Sequence, residues 1–480
     1  MYIRMRDLSL LTDFYQLTMA QGYCEKGKTE KAVFDLFYRD NPSGNGYAVF
    51  AGLEQIIEFV ENLEFKEDDI EYLRSQGFKE RFLDYLKNFE FTGDIYSVPE
   101  GSVVFPKEPL LKVEAPILQA QLLETPLLNF INHQALIATK AARINEAAQG
   151  KNVLEFGLRR AHGPDAGVYG ARAAVIGGCS GTSNVLTGKK FGVKVSGTHA
   201  HSWVMSFESE LEAFRTYADN FPNSAILLVD TYDTLKSGVP NAIKVFKEMK
   251  ENGIESKLFG IRLDSGDLAY LSKEARKMLD QAGLEDAVIV ASNNLDEDII
   301  TSLNLQGAKI DLYGVGTKLI TSYDCPAFGA VYKMSEYNDQ PKIKLSDNIE
   351  KMTDPGNKKL IRIYDRKSGE IRADLIALDK EKISADSDLV LFDARDTWKT
   401  TTLKKGDYEL REMMEPIFKR GKLVYDSPTV AEIKKYAEKE KESLGAEYKR
   451  LTNPHKMKVD LSDELYELKQ KLIQENKMEK

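Results

Sequence analysis

Two histidines stand two residues apart in the run Val193-Lys-Val-Ser-Gly-Thr198-His199-Ala-His201-Ser202, in a chain that has five in all. An apolar stretch precedes them and a helix-like stretch, Trp203-Val-Met-Ser-Phe207, follows. At a strand-to-helix junction the backbone N–H groups open toward the next helix and can hold an anion. An imidazole there can act as base, acid or phosphoryl acceptor near neutral pH. Taken alone, the segment is explained at least as well by a metal pair or a satisfied structural histidine.

Other segments carry chemistry of the same kind. In Arg262-Leu-Asp264-Ser265-Gly266-Asp267 a guanidinium precedes two carboxylates placed around a glycine turn. The arginine can grip a carboxylate bidentately. The acids can hold ribose hydroxyls or a Mg²⁺ that itself carries phosphate oxygens, or they can close an internal salt bridge. Arg159-Arg160 has the same two readings. As neighbours on a strand tip they point opposite ways, so one of them faces the site. Gly314-Val-Gly316-Thr317-Lys318 lacks the third glycine of a dinucleotide fingerprint, because Leu319 stands there. It reads as a small-residue turn whose N–H groups suit a phosphate, or simply as a tight turn that needs glycine. Gly181-Thr-Ser-Asn-Val-Leu-Thr-Gly188-Lys189-Lys190 fails as a phosphate loop, since Ser183 and Lys190 occupy the required glycine and hydroxyl positions.

The elements that must position these residues recur in a regular rhythm. Apolar strands are expected at Val153-Leu-Glu-Phe156, Val193-Lys-Val195, Ile226-Leu-Leu-Val229, Leu258-Phe-Gly-Ile261, Val288-Ile-Val290 and Ile310-Asp-Leu-Tyr313. Each leads to a polar tip and then a helical pattern. Apolar strands alternating with helices imply a parallel sheet or barrel, and loaded C-terminal strand ends are the layout of an α/β-barrel site. A doubly wound open sheet is the alternative. On sequential strands, Asp230 and His201 would occupy neighbouring tips, where a carboxylate fixes the imidazole tautomer and raises its basicity.

Around this core the pattern changes. The spacing predicts a helix from Leu10 to Met19 capped at Thr12 or Asp13, and a strand over Lys31–Tyr38. A long helix is expected over Pro126–Ala148, capped by Thr125 with Pro126 at its first position. Farther on, Leu360–Tyr364 and Glu370–Ile376 flank Lys367-Ser-Gly369 as a β-hairpin. Thr429-Val-Ala-Glu432 is a capping box. Leu461, Leu465, Leu468 and Leu472 make one apolar stripe on a last helix. The expected division is 1–120 as a mixed α/β domain, 121–332 as the barrel, and 333–480 as a β-hairpin and helical region packing on the first two.

Composition narrows the function class. The chain has 480 residues, 42% hydrophobic and 29% charged, ordinary for a globular protein. A net charge of −9 argues against a nucleic-acid partner, which needs a basic surface. Cys24, Cys179 and Cys325 are scattered, against both a disulfide framework and a zinc ribbon. The opening Met1-Tyr-Ile-Arg-Met-Arg-Asp-Leu lacks the signature of a signal peptide, and no window approaches the roughly 18 apolar residues of a membrane span. A cytoplasmic location without a membrane partner is the expectation. Anion-binding turns, arginines, carboxylates and a histidine suit a phosphorylated or anionic small molecule, and phosphoryl or glycosyl transfer.

Six motifs in order carry a resemblance. Thr12-Asp-Phe-Tyr15-Gln-Leu-Thr-Met, Glu155-Phe156-Gly-Leu-Arg159-Arg-Ala, Gly197-Thr198-His-Ala-His201-Ser, Asp230-Thr-Tyr-Asp, Arg262-Leu-Asp-Ser-Gly-Asp and Gly314-Val-Gly-Thr317 together resemble nicotinate phosphoribosyltransferase. The resemblance implies a type II phosphoribosyltransferase fold: an irregular α/β barrel with an N-terminal mixed α/β sandwich domain and a C-terminal α+β extension. It implies transfer of phosphoribosyl from phosphoribosyl pyrophosphate to nicotinate, giving nicotinate mononucleotide and pyrophosphate. It also implies coupling to ATP hydrolysis through a transient phosphohistidine, Mg²⁺ borne by substrate, and a homodimer with its active site at the interface. By position His201 is then the phosphohistidine, Asp230 its supporting acid, and Asp264 an acid near the ribose. Tyr15, Phe156, Arg159, Thr198 and Arg262 fall at nicotinate-site positions. Gly314, Gly316 and Thr317, with Ser265, Gly266 and Asp267, fall at the phosphoribosyl pyrophosphate site. Amide-using relatives carry an acid where this chain has Ser183, and its absence favours nicotinate over nicotinamide. His199 departs from the family's pattern and has no role in it. Two other readings stay open: a phosphosugar-binding barrel without catalysis, and a lyase using Lys318 as a Schiff-base lysine.

Overall fold

A computed structural model describes residues 7–254, 256–346, 352–394 and 396–478. They form two compact units, Met1–Leu136 with Ala327–Lys480, and Ile137–Pro326. The sequence-based division counts residues 333–480 separately; by contact they belong with the N-terminal region.

The second unit holds the alternating strands and helices. Its strands are β1 (Asn152–Glu155), β2 (Gly181–Thr182), β3 (Ala225–Leu228), β4 (Phe259–Leu263), β5 (Val288–Ala291) and β6 (Leu312–Val315). All neighbouring pairs are parallel. The spatial order is β2-β1-β6-β5-β4-β3, which is the cyclic order of a barrel opened between β2 and β3. It is a curled half-barrel rather than a doubly wound sheet. Helices Pro164–Ile176, Val239–Glu251, Leu268–Gln281 and Glu297–Leu305 follow β1, β3, β4 and β5. Their apolar faces bury Val239, Ala242, Val245, Phe246, Ala275 and Leu279 with Leu227, Ile261 and Ile289 of the sheet. Burial of that face, more than helix propensity, holds such helices in place. Every tip therefore projects from one end of a rigid sheet.

Two expectations change here. The run Val193–Val195 is not a full strand: it contributes one parallel bridge, Val195 to Thr182. Arg159 and Arg160 lie in a 3₁₀ turn, Leu158–Arg160, beyond the end of β1. Alternation along a strand therefore does not apply, and both side chains are exposed.

In the first unit a seven-stranded sheet runs Gln340–Pro341, Ala330–Tyr337, Lys31–Tyr38, Leu111–Pro116, Asp94–Ser97, Glu415–Lys419, Lys422–Leu423. Lys31–Tyr38 matches its expected span, but it is central and buried on both faces. The hairpin is present as Lys358–Asp365 paired with Ile371–Leu378. It is pinned by the fully buried Arg362, which reaches Asp374 and Glu440 at 2.7 Å each. The first helix is Phe14–Glu25 with Asp13 at its cap position. The long helix begins at Glu124, earlier than expected, because the Thr125 hydroxyl donates to Asp13 at 2.9 Å instead of capping. Thr429 and Glu432 form their capping box. Leu461 ends a short strand ahead of the last helix, Asp463–Met478, which leaves Leu465 as the buried member of the stripe.

Candidate active site

The tips of β3 and β4 meet through one carboxylate. Asp230, two residues beyond β3, has a side chain only 1% exposed. The His201 Nε2–H donates to its Oδ1 at 3.1 Å. Its Oδ2 accepts from the Asp264 backbone N–H at 2.8 Å and from the Ser265 hydroxyl at 2.6 Å. A carboxylate bonded at Nε2 assigns the proton to that nitrogen and leaves Nδ1 with a free lone pair. The His201 side chain is 40% exposed, unlike the Asp230 side chain that holds it.

Arg262, on β4, donates through Nη1 to the Thr198 hydroxyl. Its buried Nε has no hydrogen-bond partner. Burial lowers its pKa, opposed by the charges of Asp264 and Asp230. A buried guanidinium N–H without a partner is costly unless an acceptor arrives, and a carboxylate in the plane of the fork is the natural one. The turn after β4 needs glycine at 266, where φ is +77° and a Cβ would lie 2.9 Å from Leu271. Asp267 then caps the next helix by accepting from the Tyr270 N–H at 3.0 Å.

At the β1 tip, buried Glu155 accepts from the Thr182 hydroxyl at 2.6 Å and from the Gly157 N–H. Burial raises its carboxyl pKa. The Ser183 N–H donates to the Glu155 carbonyl at 2.9 Å, and the Phe156 N–H to Val315 on β6 at 2.8 Å. The carboxylate thus ties Gly157 to Thr182, while backbone bonds hold Phe156 and Ser183. Gly314 is a strand residue, and its missing side chain serves a contact rather than a turn: a Cβ there would lie 2.6 Å from the Phe156 ring. A Cβ on Gly316 would lie 3.1 Å from the Phe156 carbonyl oxygen. Thr317 opens the short helix Thr317–Ile320. At the β5 tip, the Ser292 hydroxyl donates to Asp264.

One unit therefore brings together Phe156, Arg159, Ser183, Thr198, His201, Asp230, Arg262, Asp264, Ser265, Gly266, Asp267, Gly314, Gly316 and Thr317 on neighbouring strand tips. Tyr15 belongs to the other unit, in the first turn of Phe14–Glu25 and 50% exposed. Sequence reasoning missed Glu155, whose only signal was a charged residue at the end of an apolar strand. Lys318 is paired with Asp296, and that hydrogen bond raises its pKa. A Schiff-base lysine needs a lowered one, so the lyase reading fails. Among the described residues no group of three or more His, Cys, Asp or Glu side chains could hold a metal, and the two imidazoles bond separate partners, the Leu228 N–H and Asp230.

His199 takes the structural alternative. It is 7% exposed, and its Nε2 accepts the Leu228 N–H at 3.1 Å. Burial pulls its pKa down to about 4.

An α/β half-barrel with loaded tips, an Asp–His pair and a buried guanidinium with an unpartnered Nε defines a barrel-type group-transfer protein acting on anionic substrates. Comparison with known proteins makes this specific. The sequence matches the nicotinate phosphoribosyltransferase family over residues 152–370, that enzyme's N-terminal domain over 10–132, and its C-terminal domain over 357–469. A nicotinate phosphoribosyltransferase of Bacillus subtilis (strain 168) is 48% identical over 476 residues, covering 98% of this chain and 96% of that protein. One from Caenorhabditis elegans is 37% identical, covering 95% and 92%. The crystal structure of human nicotinic acid phosphoribosyltransferase superposes with a TM-score of 0.85 at 31% identity, covering 96% of this chain and 99% of that one. The chain belongs to the nicotinate phosphoribosyltransferase family, with the type II phosphoribosyltransferase fold. Among the described residues no helix is long and apolar enough to cross a membrane.

The depressed His199 pKa makes stability pH-dependent. The unfolded chain binds a proton near pH 6.5 that the folded chain refuses until about pH 4, so this contribution is intact above 6.5 and is lost as pH falls toward 4. Urea midpoints of the parent and a His199→Phe variant should separate as pH falls through that window, with the parent losing on the order of 3 kcal/mol more. Parallel pH profiles would contradict the assignment.

Proposed function

We propose that this protein transfers the phosphoribosyl group of phosphoribosyl pyrophosphate to nicotinate, forming nicotinate mononucleotide and pyrophosphate as a step of NAD synthesis, coupled to ATP hydrolysis. The observation that carries the proposal is His201 hydrogen-bonded to buried Asp230 beside Arg262, whose Nε lacks a partner. Family membership over nearly the whole chain supports the same reaction.

In this reading the γ-phosphoryl of ATP passes to His201 Nδ1, the nitrogen left open by the Asp230 bond, as ADP leaves; water later breaks the N–P bond, releasing phosphate and restoring the imidazole. Asp230 holds the ring and stabilises its positive charge. Arg262, through Nε, reads the nicotinate carboxylate together with the Thr198 hydroxyl it already holds. The Phe156 ring, seated over Gly314, offers an aromatic face to the pyridine. Arg159 adds positive charge near the same anion. The pyridine nitrogen attacks the anomeric carbon as the bond to pyrophosphate breaks, and the ribose carries oxocarbenium charge between the two. Asp264 lies near that charge. Gly314, Gly316 and Thr317, with Ser265, Gly266 and Asp267, hold the phosphorylated ends of the substrate. Mg²⁺ borne by the pyrophosphate neutralises the leaving group. We further propose a homodimer with its active site at the interface. Phe14, Tyr15 and Met19, exposed on one helix, offer apolar area for a second copy to cover.

Labelled ATP should leave acid-labile phosphate on the protein, and His201→Ala should abolish it while slow ATP-independent transfer persists. Undiminished labelling of the variant would overturn the assignment. Ser183→Asp places a carboxylate that accepts from an amide and repels an acid. Steady-state kinetics should show kcat/KM for nicotinate falling by on the order of 10-fold or more while nicotinamide loses far less. An equal fall for both would remove Ser183 from selectivity.

A further inference from the structure

The family's chemistry gives His199 no task, yet its position is closely determined. The half-barrel is open between β2 and β3, so each has one unpaired edge. Successive N–H groups along a strand alternate sides. The Val229 N–H donates to Arg262 on β4 at 3.2 Å, and the Leu228 N–H points the other way, off the open edge. His199 Nε2 accepts it. Two residues on, His201 meets Asp230, two residues beyond Leu228, so the two contacts share one separation of 29 residues along the chain. Residues 199–201 therefore run beside the end of β3 in parallel, with the His199 imidazole taking the place of a backbone carbonyl and His201 bonded to the Asp230 side chain. The start of the same segment is stitched to β2: the Thr182 N–H donates to Lys194 at 3.0 Å and the Ser196 N–H to Thr182 at 2.9 Å. One stretch of chain thus sutures both edges of the opening.

We infer that His199 is a positioning residue for the transfer reaction: its neutral imidazole stands in for a missing strand, ties the segment Thr198–His201 to the edge of β3, and so sets where Thr198 and His201 present themselves. The ring is seated against Tyr217 and Phe214, centroids 4.8 and 5.9 Å away, on the helix Glu210–Asn220 that leads into β3. Accepting at Nε2 requires the Nδ1–H tautomer. Burial keeps the ring from protonating near neutral pH. Loss of the acceptor leaves the Leu228 N–H buried without a partner two residues from Asp230. A shift of about an ångström in a reacting group can cost 100-fold in rate.

The inference rests on the reading that Thr198 and His201 belong to the active segment, and the test separates the two. In His199→Phe the aromatic seat is kept and the acceptor lost; in His199→Gln the side-chain amide oxygen reaches as far as Nε2. Amide exchange at Leu228 and kcat for nicotinate mononucleotide formation are measured with the parent, both variants and His201→Ala. Expected are faster Leu228 exchange and a kcat lower by on the order of 10-fold or more in the Phe variant at near-parental Tm, with both largely restored by Gln. Parental exchange or parental kcat in the Phe variant, or equal impairment of Phe and Gln, would overturn it. If His201→Ala keeps full ATP-driven turnover, the parent reading fails and the positioning role with it, whereas a defect in His201→Ala alone sinks only the role of His199. Should the Phe variant not fold, His199→Asn replaces it: its oxygen stops one bond short of Leu228, and activity equal to Gln would overturn the inference.

Discussion

The carboxylate of Asp230 is the joint on which the site depends. It is almost wholly removed from water, and a buried negative charge is tolerable only when donors surround it. Three do: an imidazole N–H, a backbone N–H and a hydroxyl. They come from two different parts of the site. The imidazole lies on the segment that crosses the barrel opening, and the other two lie on the turn after β4. Meeting the electrostatic need of one side chain therefore fixes the tautomer of His201 and the path of Asp264-Ser265-Gly266, and with it the Asp267 cap of the following helix. A second buried carboxylate, Glu155, does the same at β1, where it joins the Gly157 N–H to the Thr182 hydroxyl of β2.

The opening between β2 and β3 gives this arrangement its freedom. A closed barrel would pair every tip by backbone, leaving no slack for a segment bearing reactive side chains. Here residues 194–201 cross the gap, tied by backbone to β2 and by imidazole to β3. Thr198, held by Arg262 of β4, lies between these ties. Thr198 and His201 thus sit on one short stretch of chain, each held by a different strand tip.

Much of this was legible in the sequence. Five of the six expected strands and their charged tips followed from apolar runs alternating with helical periodicity; the Asp230–His201 contact is present, although the run before His201 is a bridge and the edge strand Gly181–Thr182 was not expected. The hairpin around Gly369 and the Thr429 capping box were local signals with local outcomes. What was not legible depended on tertiary contact. Nothing in Val193-Lys-Val195 distinguishes a full strand from a single bridge, since that depends on whether a neighbour is present. Gly314 read as a turn glycine because its real reason, the Phe156 ring, lies more than a hundred residues earlier. Thr125 had the residue type of a cap, but Asp13 claims its hydroxyl. His199 was opaque because its partner is a backbone N–H, and a backbone N–H leaves no mark in a sequence.

The central claim is that one buried carboxylate organises both the imidazole and the β4 turn. Asp230→Asn keeps shape and removes charge, so it isolates that interaction. Pre-steady-state labelling with ATP should show phosphoryl incorporation slowed by on the order of 100-fold or more, by analogy with charge removal behind other catalytic histidines, with overall stability little changed. Incorporation at the parental rate in a folded Asp230→Asn protein would contradict the account.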